Sequence, residues 1–155
     1  MHNAEVCDLP GYRVAAVAHA GAHNRIGSAF ERLGRILAAA RALDQTRGMI
    51  AIYHDHGDGT PPAALRSHAG AIWANGKPLP EGLEELHLPA GRYAVLHYSG
   101  PYDGLTRAWS RIYTEWAPTV GAVLRAEAPA YELYLNSPAD TAPEALRTDL
   151  CMPIE

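Results

Sequence analysis

The chain has 155 residues, the size of one ordinary domain, and 48% of them are hydrophobic, which is enough for a core without disulfides or metal. Thirteen Lys and Arg against seventeen Asp and Glu give a net charge of −4, which argues against a protein that grips nucleic acid phosphates. Eight Tyr and three Trp against one Phe favour a ligand-contacting surface, because these rings join a polar group to an apolar body.

Targeting and redox features of the sequence are few. Residues 1–10 hold acidic side chains and no apolar segment, and no stretch approaches the ~18 apolar residues of a membrane span. Cys7 and Cys151 are interpreted as free thiols rather than a disulfide, and no Cys pair has metal-ligand spacing. We expect a cytoplasmic protein without membrane contact or cofactor, and the sequence leaves the oligomeric state open.

The chain repeats itself at an offset of 79 residues, which brings residues 14–23 onto residues 93–102. Hydrophobic positions, a glycine and a ring-bearing residue coincide, and each segment predicts a strand that leads into a helix. Apolar residues with the spacing of one helical face follow in both copies: Ile26, Ala29, Phe30, Leu33 and Leu37, then Leu105, Ala108, Trp109, Ile112 and Trp116. Pro118 predicts the end of the second helix.

A β-rich run follows each predicted helix, at residues 49–54 and 130–135. Here the offset is 81, and the two extra residues are assigned to the loop between helix and strand. A last strand is expected in each half, at about residues 68–73 and 148–152. Residues 74–89 contain several Gly and Pro and predict a loop that joins the halves.

One half alone would bury little surface, so we expect the two halves to share a core. The prediction is a single α+β domain over residues 1–155, with repeat one at about 8–75 and repeat two at about 86–155. Each repeat is strand, helix, strand, strand. Together they should form a curved antiparallel sheet with helices on one face and a ligand groove between the halves.

Four segments carry a resemblance to a known family: residues 51–55 (AIYHD) leading into Thr60-Pro61 and Leu65-Arg66, residues 90–95 (AGRYAV), residues 131–136 (YELYLN) and residues 148–154 (TDLCMPI). In this order and spacing the chain resembles the GyrI-like small-molecule-binding proteins. These include a bacterial DNA gyrase inhibitory protein and the effector-binding domains of AraC-type and MerR-type regulators. No helix-turn-helix pattern precedes the segments, so a stand-alone member is expected.

The candidate site is asymmetric between the repeats. Strand alternation puts Glu132 and Tyr134 on one face and Tyr131, Leu133 and Leu135 on the other. We expect the apolar set to pack on the helices, with Glu132 and Tyr134 in the groove, although spacing alone is equally compatible with a Glu132 exposed at a strand edge. The repeat puts Ala51 and Tyr53 at the equivalent positions of the first half.

The resemblance implies a role for Glu132, since in effector-binding relatives a matching glutamate lies at the base of an aromatic-lined pocket and meets cationic ligands. A carboxylate below aromatic rings attracts an organic cation by charge and by cation–π contact. The further expected ligand contacts are Tyr102 at a strand-to-helix turn, Trp73 as a lid at the end of its strand, and Tyr93. Trp109 and Trp116 are expected in the core rather than in the site.

Other chemistry is less well supported by the sequence. His54 and His56 flank Asp55 in a pattern that suggests a metal site, but Gly57 and Gly59 indicate a turn and no third ligand has the right spacing, so no metal is predicted. Three functions remain open. They are binding of hydrophobic, possibly cationic small molecules for sequestration or sensing, hydrolysis of electrophilic compounds with Glu132 as general base and Tyr134 as positioning group, and inhibition of DNA gyrase by protein contact.

Overall fold

The computed structural model describes residues 4–55 and 61–155. The chain forms two compact units. The first unit is Gly11–Pro89, and the second unit is Ala90–Glu155 together with the residues up to Pro10. In chain order the elements are β1 (Glu5–Leu9), β2 (Tyr12–Ala20), α1 (Gly27–Ala39), β3 (Thr46–Tyr53), β4 (Arg66–Trp73), β5 (Glu84–Leu88), β6 (Gly91–Ser99), α2 (Leu105–Arg111), a π-helical turn (Ile112–Trp116), α3 (Ala117–Val120), β7 (Ala130–Tyr134) and β8 (Arg147–Pro153).

Both units have the same internal plan. In the first unit the antiparallel order is β3–β4–β2–β5, and α1 packs on β2 and β4 through buried Ala29, Leu33 and Leu37. In the second unit the antiparallel order is β7–β8–β6–β1, and the helical run packs on one face of the sheet. The predicted α+β fold of two pseudo-symmetric strand–helix–strand–strand repeats is confirmed, while the groove between the halves stays a prediction.

The fourth strand of each unit was not predicted from the sequence. Glu84–Leu88, inside the segment predicted to be a loop, forms β5 beside β2, and Glu5–Leu9 forms β1 beside β6. The loop prediction for residues 84–88 is therefore wrong. Both strands have five residues, pair on one side and carry mixed polar and apolar side chains, so neither leaves the strong alternation of a half-buried strand.

The helix of the second unit also differs from the prediction. It passes through Pro118 and ends at Val120, where Gly121 adopts the left-handed conformation with a φ of 68°. The run has 7, 5 and 4 residues in its three parts, against 13 in α1, so extra residues of this repeat lie in the helix rather than in the following loop. The π-helical turn widens the helix just before Pro118, which removes the usual clash of the proline ring with the preceding turn.

The π-helical turn changes which residues face the sheet. The buried positions run Leu105, Ala108, Ile112 and then Ala117, five residues further on, because the turn inserts a residue into the helical period. Trp116, expected on the apolar face, is consequently only half-buried.

The two cysteines, Cys7 and Cys151, are both free thiols, as expected. None of the helices formed by residues 4–55 and 61–155 has the length and apolar character to cross a membrane. The turn predicted at Gly57 and Gly59 lies outside the described residues, as does His56.

Candidate functional site

The carboxylate of Glu132 is the centre of a polar and aromatic cluster inside the second unit. Glu132 lies on β7 and is 2% exposed. The indole Nε1 of Trp109 donates to Glu132 Oε2 at 2.7 Å, and the hydroxyl of Tyr134 donates to Glu132 Oε1 at 2.7 Å. Both are short, charge-assisted hydrogen bonds, and they offset part of the cost of removing a carboxylate from water.

Glu132 faces the helices, contrary to the expectation that Tyr131, Leu133 and Leu135 would do so. In the antiparallel register Glu132 lies opposite Leu150, which belongs to the core that α2 covers. Tyr134 packs against the same core. The physical reason is that Trp109 reaches down from α2 with an indole N–H, so the buried face of β7 accommodates a carboxylate where only apolar groups were expected.

Two further tyrosine rings contact the two side chains that donate to this carboxylate. The ring centroids of Tyr102 and Tyr134 are 5.4 Å apart, and Tyr113 stacks on Trp109 with centroids 5.9 Å apart and an interplanar angle of 22°. Burial, together with the negative charge of Glu132, raises the pKa of Tyr102, and burial raises the pKa of Tyr113 to about 12. Both phenols therefore stay neutral at physiological pH.

The first unit holds a related arrangement without the carboxylate. Ala51, the repeat equivalent of Glu132, is fully buried, and Phe30 takes the place of Trp109. The ring of Tyr53, equivalent to Tyr134, meets the ring of His23 edge-on with centroids 4.7 Å apart. His23 is the repeat equivalent of Tyr102, so the ring pair occurs in both units. The roles of Ala51 and Tyr53 as ligand contacts stay predictions.

Two predicted contacts lie elsewhere. Tyr93 is fully buried on the opposite face of the sheet from Glu132, with its ring edge-on to Tyr131 at 5.5 Å and the Arg125 guanidinium 5.1 Å above it. That position separates Tyr93 from the Glu132 cluster, and a ligand contact by Tyr93 stays a prediction. Trp73 is 3% exposed and its Nε1 donates to the Pro78 carbonyl at 3.3 Å, which describes a packed side chain rather than a lid.

The sequence reasoning missed Trp109 and Tyr113 as members of this cluster. Trp109 was assigned to the core because it falls on the apolar face of its helix, where Phe30 lies in the first repeat. The signal that could have found it is the difference between these two rings. The first repeat has two apolar residues at these positions, Ala51 and Phe30. The second repeat has an acceptor, Glu132, and a side chain with an N–H donor, Trp109.

The histidines near His54 form a hydrogen-bonded chain in the first unit. His54 Nε2 lies 2.7 Å from His68 Nδ1, and His68 Nε2 lies 2.6 Å from Glu84 Oε1. Burial and the nearby charges of His68 and Arg66 lower the pKa of His54. Among the residues that the structure describes, no group of three His, Cys, Asp or Glu side chains is arranged to hold a metal ion.

Known proteins with similar structures share this fold over almost the whole chain. The C-terminal domain of EcmrR superimposes with a TM-score of 0.77 at 14% identity, covering 100% of this chain and 98% of that one. SAV2435, solved bound to tetraphenylphosphonium, superimposes with a TM-score of 0.72 at 15% identity, covering 98% and 93%. At such identities the likeness shows the fold alone.

Sequence comparison identifies the family. A DNA gyrase inhibitor from Yersinia enterocolitica is 30% identical over 119 residues, which cover 74% of this chain and 73% of the relative. The model of the GyrI-like small molecule binding domain matches residues 2–155. The chain therefore belongs to the GyrI-like small molecule binding domain family.

Proposed function

We propose that the protein is a cytoplasmic binding protein for hydrophobic organic cations, acting in sequestration or sensing of such compounds, with Glu132 as the anionic recognition group. The observation that carries the proposal is a buried carboxylate held by two uncharged donors, the indole of Trp109 and the hydroxyl of Tyr134. These donors fix the position of the carboxylate without cancelling its charge.

The aromatic groups supply the second part of recognition. The paired rings of Tyr102 and Tyr134 and the stacked rings of Trp109 and Tyr113 offer flat apolar surface beside the charge. A cation over such a face gains ~0.5–2 kcal/mol per ring in addition to its attraction to the carboxylate. The tetraphenylphosphonium complex of SAV2435 supports this ligand class.

Calorimetric titration with tetraphenylphosphonium and with triphenylphosphine oxide, a neutral aromatic compound of similar size, tests the proposal. The cation should bind at least tenfold more tightly than the neutral compound, and the preference should disappear in Glu132→Gln. Glu144→Gln is the matched control, because Glu144 is exposed in a turn of the same unit. Equal affinity for both compounds in the native protein, or an unchanged preference in Glu132→Gln, would refute the proposal.

Hydrolysis of electrophiles is a second candidate, favoured by the 2.7 Å contact between Glu132 and Tyr134. In such a reaction Glu132 takes a proton from the water that attacks the epoxide carbon, and the Tyr134 hydroxyl protonates the alkoxide released by C–O cleavage. The proton then returns from Glu132 to Tyr134 along their hydrogen bond. Styrene oxide is a suitable probe, with the diol measured by mass spectrometry. The native protein should form the diol faster than buffer alone does, and this additional rate should be lost in both Glu132→Gln and Tyr134→Phe. A rate equal to that of buffer, or one that persists in both variants, would exclude this candidate.

Modulation of gyrase is a third candidate, supported only by the Yersinia relative. A supercoiling assay with purified gyrase tests it. Inhibition at micromolar protein would support the candidate, and unchanged supercoiling would exclude it.

A further inference from the structure

A groove lies along α2 on the flank away from Glu132, and it encloses about 430 Å³. Its apolar lining includes Leu96 of β6 and three residues of the helical run, Ala108, Ile112 and Trp116. The volume falls in the range of small-molecule sites, and a largely apolar lining with a few charged groups is typical of them.

The charged groups of the groove are mainly positive. Arg107 and Arg111, one helical turn apart on α2, both line it, with Glu115 as a single carboxylate. Within residues 4–55 and 61–155, neither guanidinium forms a hydrogen bond or an ion pair with another side chain, and Arg111 does not bridge to Glu115. Two guanidiniums beside one carboxylate leave a net positive rim over an apolar floor.

The first unit shows that this arrangement is particular to the second. Arg32 is the repeat equivalent of Arg111, and its guanidinium donates to the carbonyl oxygen of Ala18 at 3.1 Å. Arg111 instead turns to the groove. The π-helical turn contributes as well, because it moves Trp116 off the buried face and places its ring in the groove wall.

We propose that this groove is a second ligand site, which binds small amphipathic organic anions, a carboxylate or sulfonate on an aromatic or aliphatic body. The guanidiniums of Arg107 and Arg111 present planar donors that match two anionic oxygens, and the apolar floor accepts the body of the ligand. The groove contains none of the Glu132 cluster, so the two sites hold opposite charge preferences on the two flanks of one helix. Anion binding in the groove does not depend on cation binding at Glu132.

Naphthalene-2-sulfonate is the probe. Calorimetry measures its dissociation constant, and NMR measures the chemical shifts of the indole N–H groups of the three tryptophans. The sulfonate should shift the Trp116 resonance, assigned with Trp116→Phe, more than that of Trp109. In the double variant Arg107→Gln/Arg111→Gln its dissociation constant should rise at least tenfold. Arg35→Gln, an exposed arginine of α1, should bind as the native protein does.

The outcomes separate this inference from the cation proposal. Tetraphenylphosphonium affinity should be unchanged in the double arginine variant. An unchanged urea denaturation midpoint shows that the variant is folded, whether or not the cation binds. No measurable binding of the sulfonate, an unchanged dissociation constant in the double variant, or a larger shift at Trp109 than at Trp116 would overturn the inference.

Discussion

The two units arrange aromatic side chains at equivalent positions in similar ways but differ in the charge beside them. Tyr102 and Tyr134 lie with ring centroids 5.4 Å apart in the second unit, and His23 and Tyr53 lie 4.7 Å apart in the first. At the equivalent position of the neighbouring strand, the second unit has the buried carboxylate of Glu132 where the first unit has Ala51.

In the second unit the buried carboxylate and the N–H group that donates to it occur together. Glu132 accepts from Trp109, while the first unit has an alanine and Phe30 at those two positions. Replacing both members of a buried hydrogen bond by apolar groups is nearly neutral, whereas losing one member leaves the other unsatisfied. The two units are therefore each internally consistent, and mixing their residues should be costly.

The largest expected effect comes from moving the carboxylate alone into the first unit. Ala51→Glu places a charge at a fully buried position of the unit in which the repeat equivalent of Trp109 is Phe30, a ring with no N–H to donate. It should lower the free energy of unfolding by about 3–5 kcal/mol. Urea denaturation measures it. Ala51→Leu controls for overpacking, at about 1–3 kcal/mol. A loss in Ala51→Glu no larger than in Ala51→Leu would contradict this reasoning.

The reverse exchange removes the donor from the second unit. Trp109→Phe keeps a ring at this position but deletes the N–H that reaches Glu132, and should cost about 2–3 kcal/mol of stability. Trp116→Phe, half-buried on the same helical run, is the matched control and should cost less. Equal losses in the two variants would show that the indole hydrogen bond contributes little.

Removing the other donor should have a smaller effect, because Tyr134 is only half-buried and water can replace its hydroxyl. Tyr134→Phe should cost about 1–2 kcal/mol in urea denaturation. Tyr53→Phe in the first unit, with Ala51 in place of the carboxylate, should cost less. The comparison fails if the order of these two variants is reversed.

The smallest effect concerns His97, whose repeat equivalent is Ala18. Its ring lies 2.6 Å from Asp149 Oδ1 and 2.9 Å from Glu5 Oε1, and these hydrogen bonds raise its pKa. The stabilisation is therefore fully present below the unfolded pKa of about 6.5 and is lost as the pH rises through the folded pKa. With a side chain 58% exposed, it should stay below about 1 kcal/mol.

Unfolding free energies of the native protein and of His97→Gln between pH 5.5 and 9 would measure this contribution. The difference should be largest at the acidic end and should shrink towards the alkaline end. A difference that grows with pH would contradict the assignment.

Much of this architecture was predictable because it repeats. The internal similarity predicted the helices and six of the strands. It also showed that Glu132 differs from its repeat equivalent, Ala51. The edge strands β1 and β5 were not predicted, because strands that pair on one side only show little hydrophobic alternation. The face of Glu132 was predicted wrongly, because strand alternation shows which residues share a face but not which face the helix covers. Trp109 was not recognised as the donor to Glu132 because it occupies an apolar position of its helix.

A crystal structure of the complex with tetraphenylphosphonium would show whether organic cations bind at the Glu132 cluster. We expect the cation within about 6 Å of the rings of Tyr102 and Tyr134, on the side of the Glu132 carboxylate. Tetraphenylphosphonium bound elsewhere on the protein, with the hydrogen bonds from Trp109 and Tyr134 to Glu132 unchanged, would contradict this binding site.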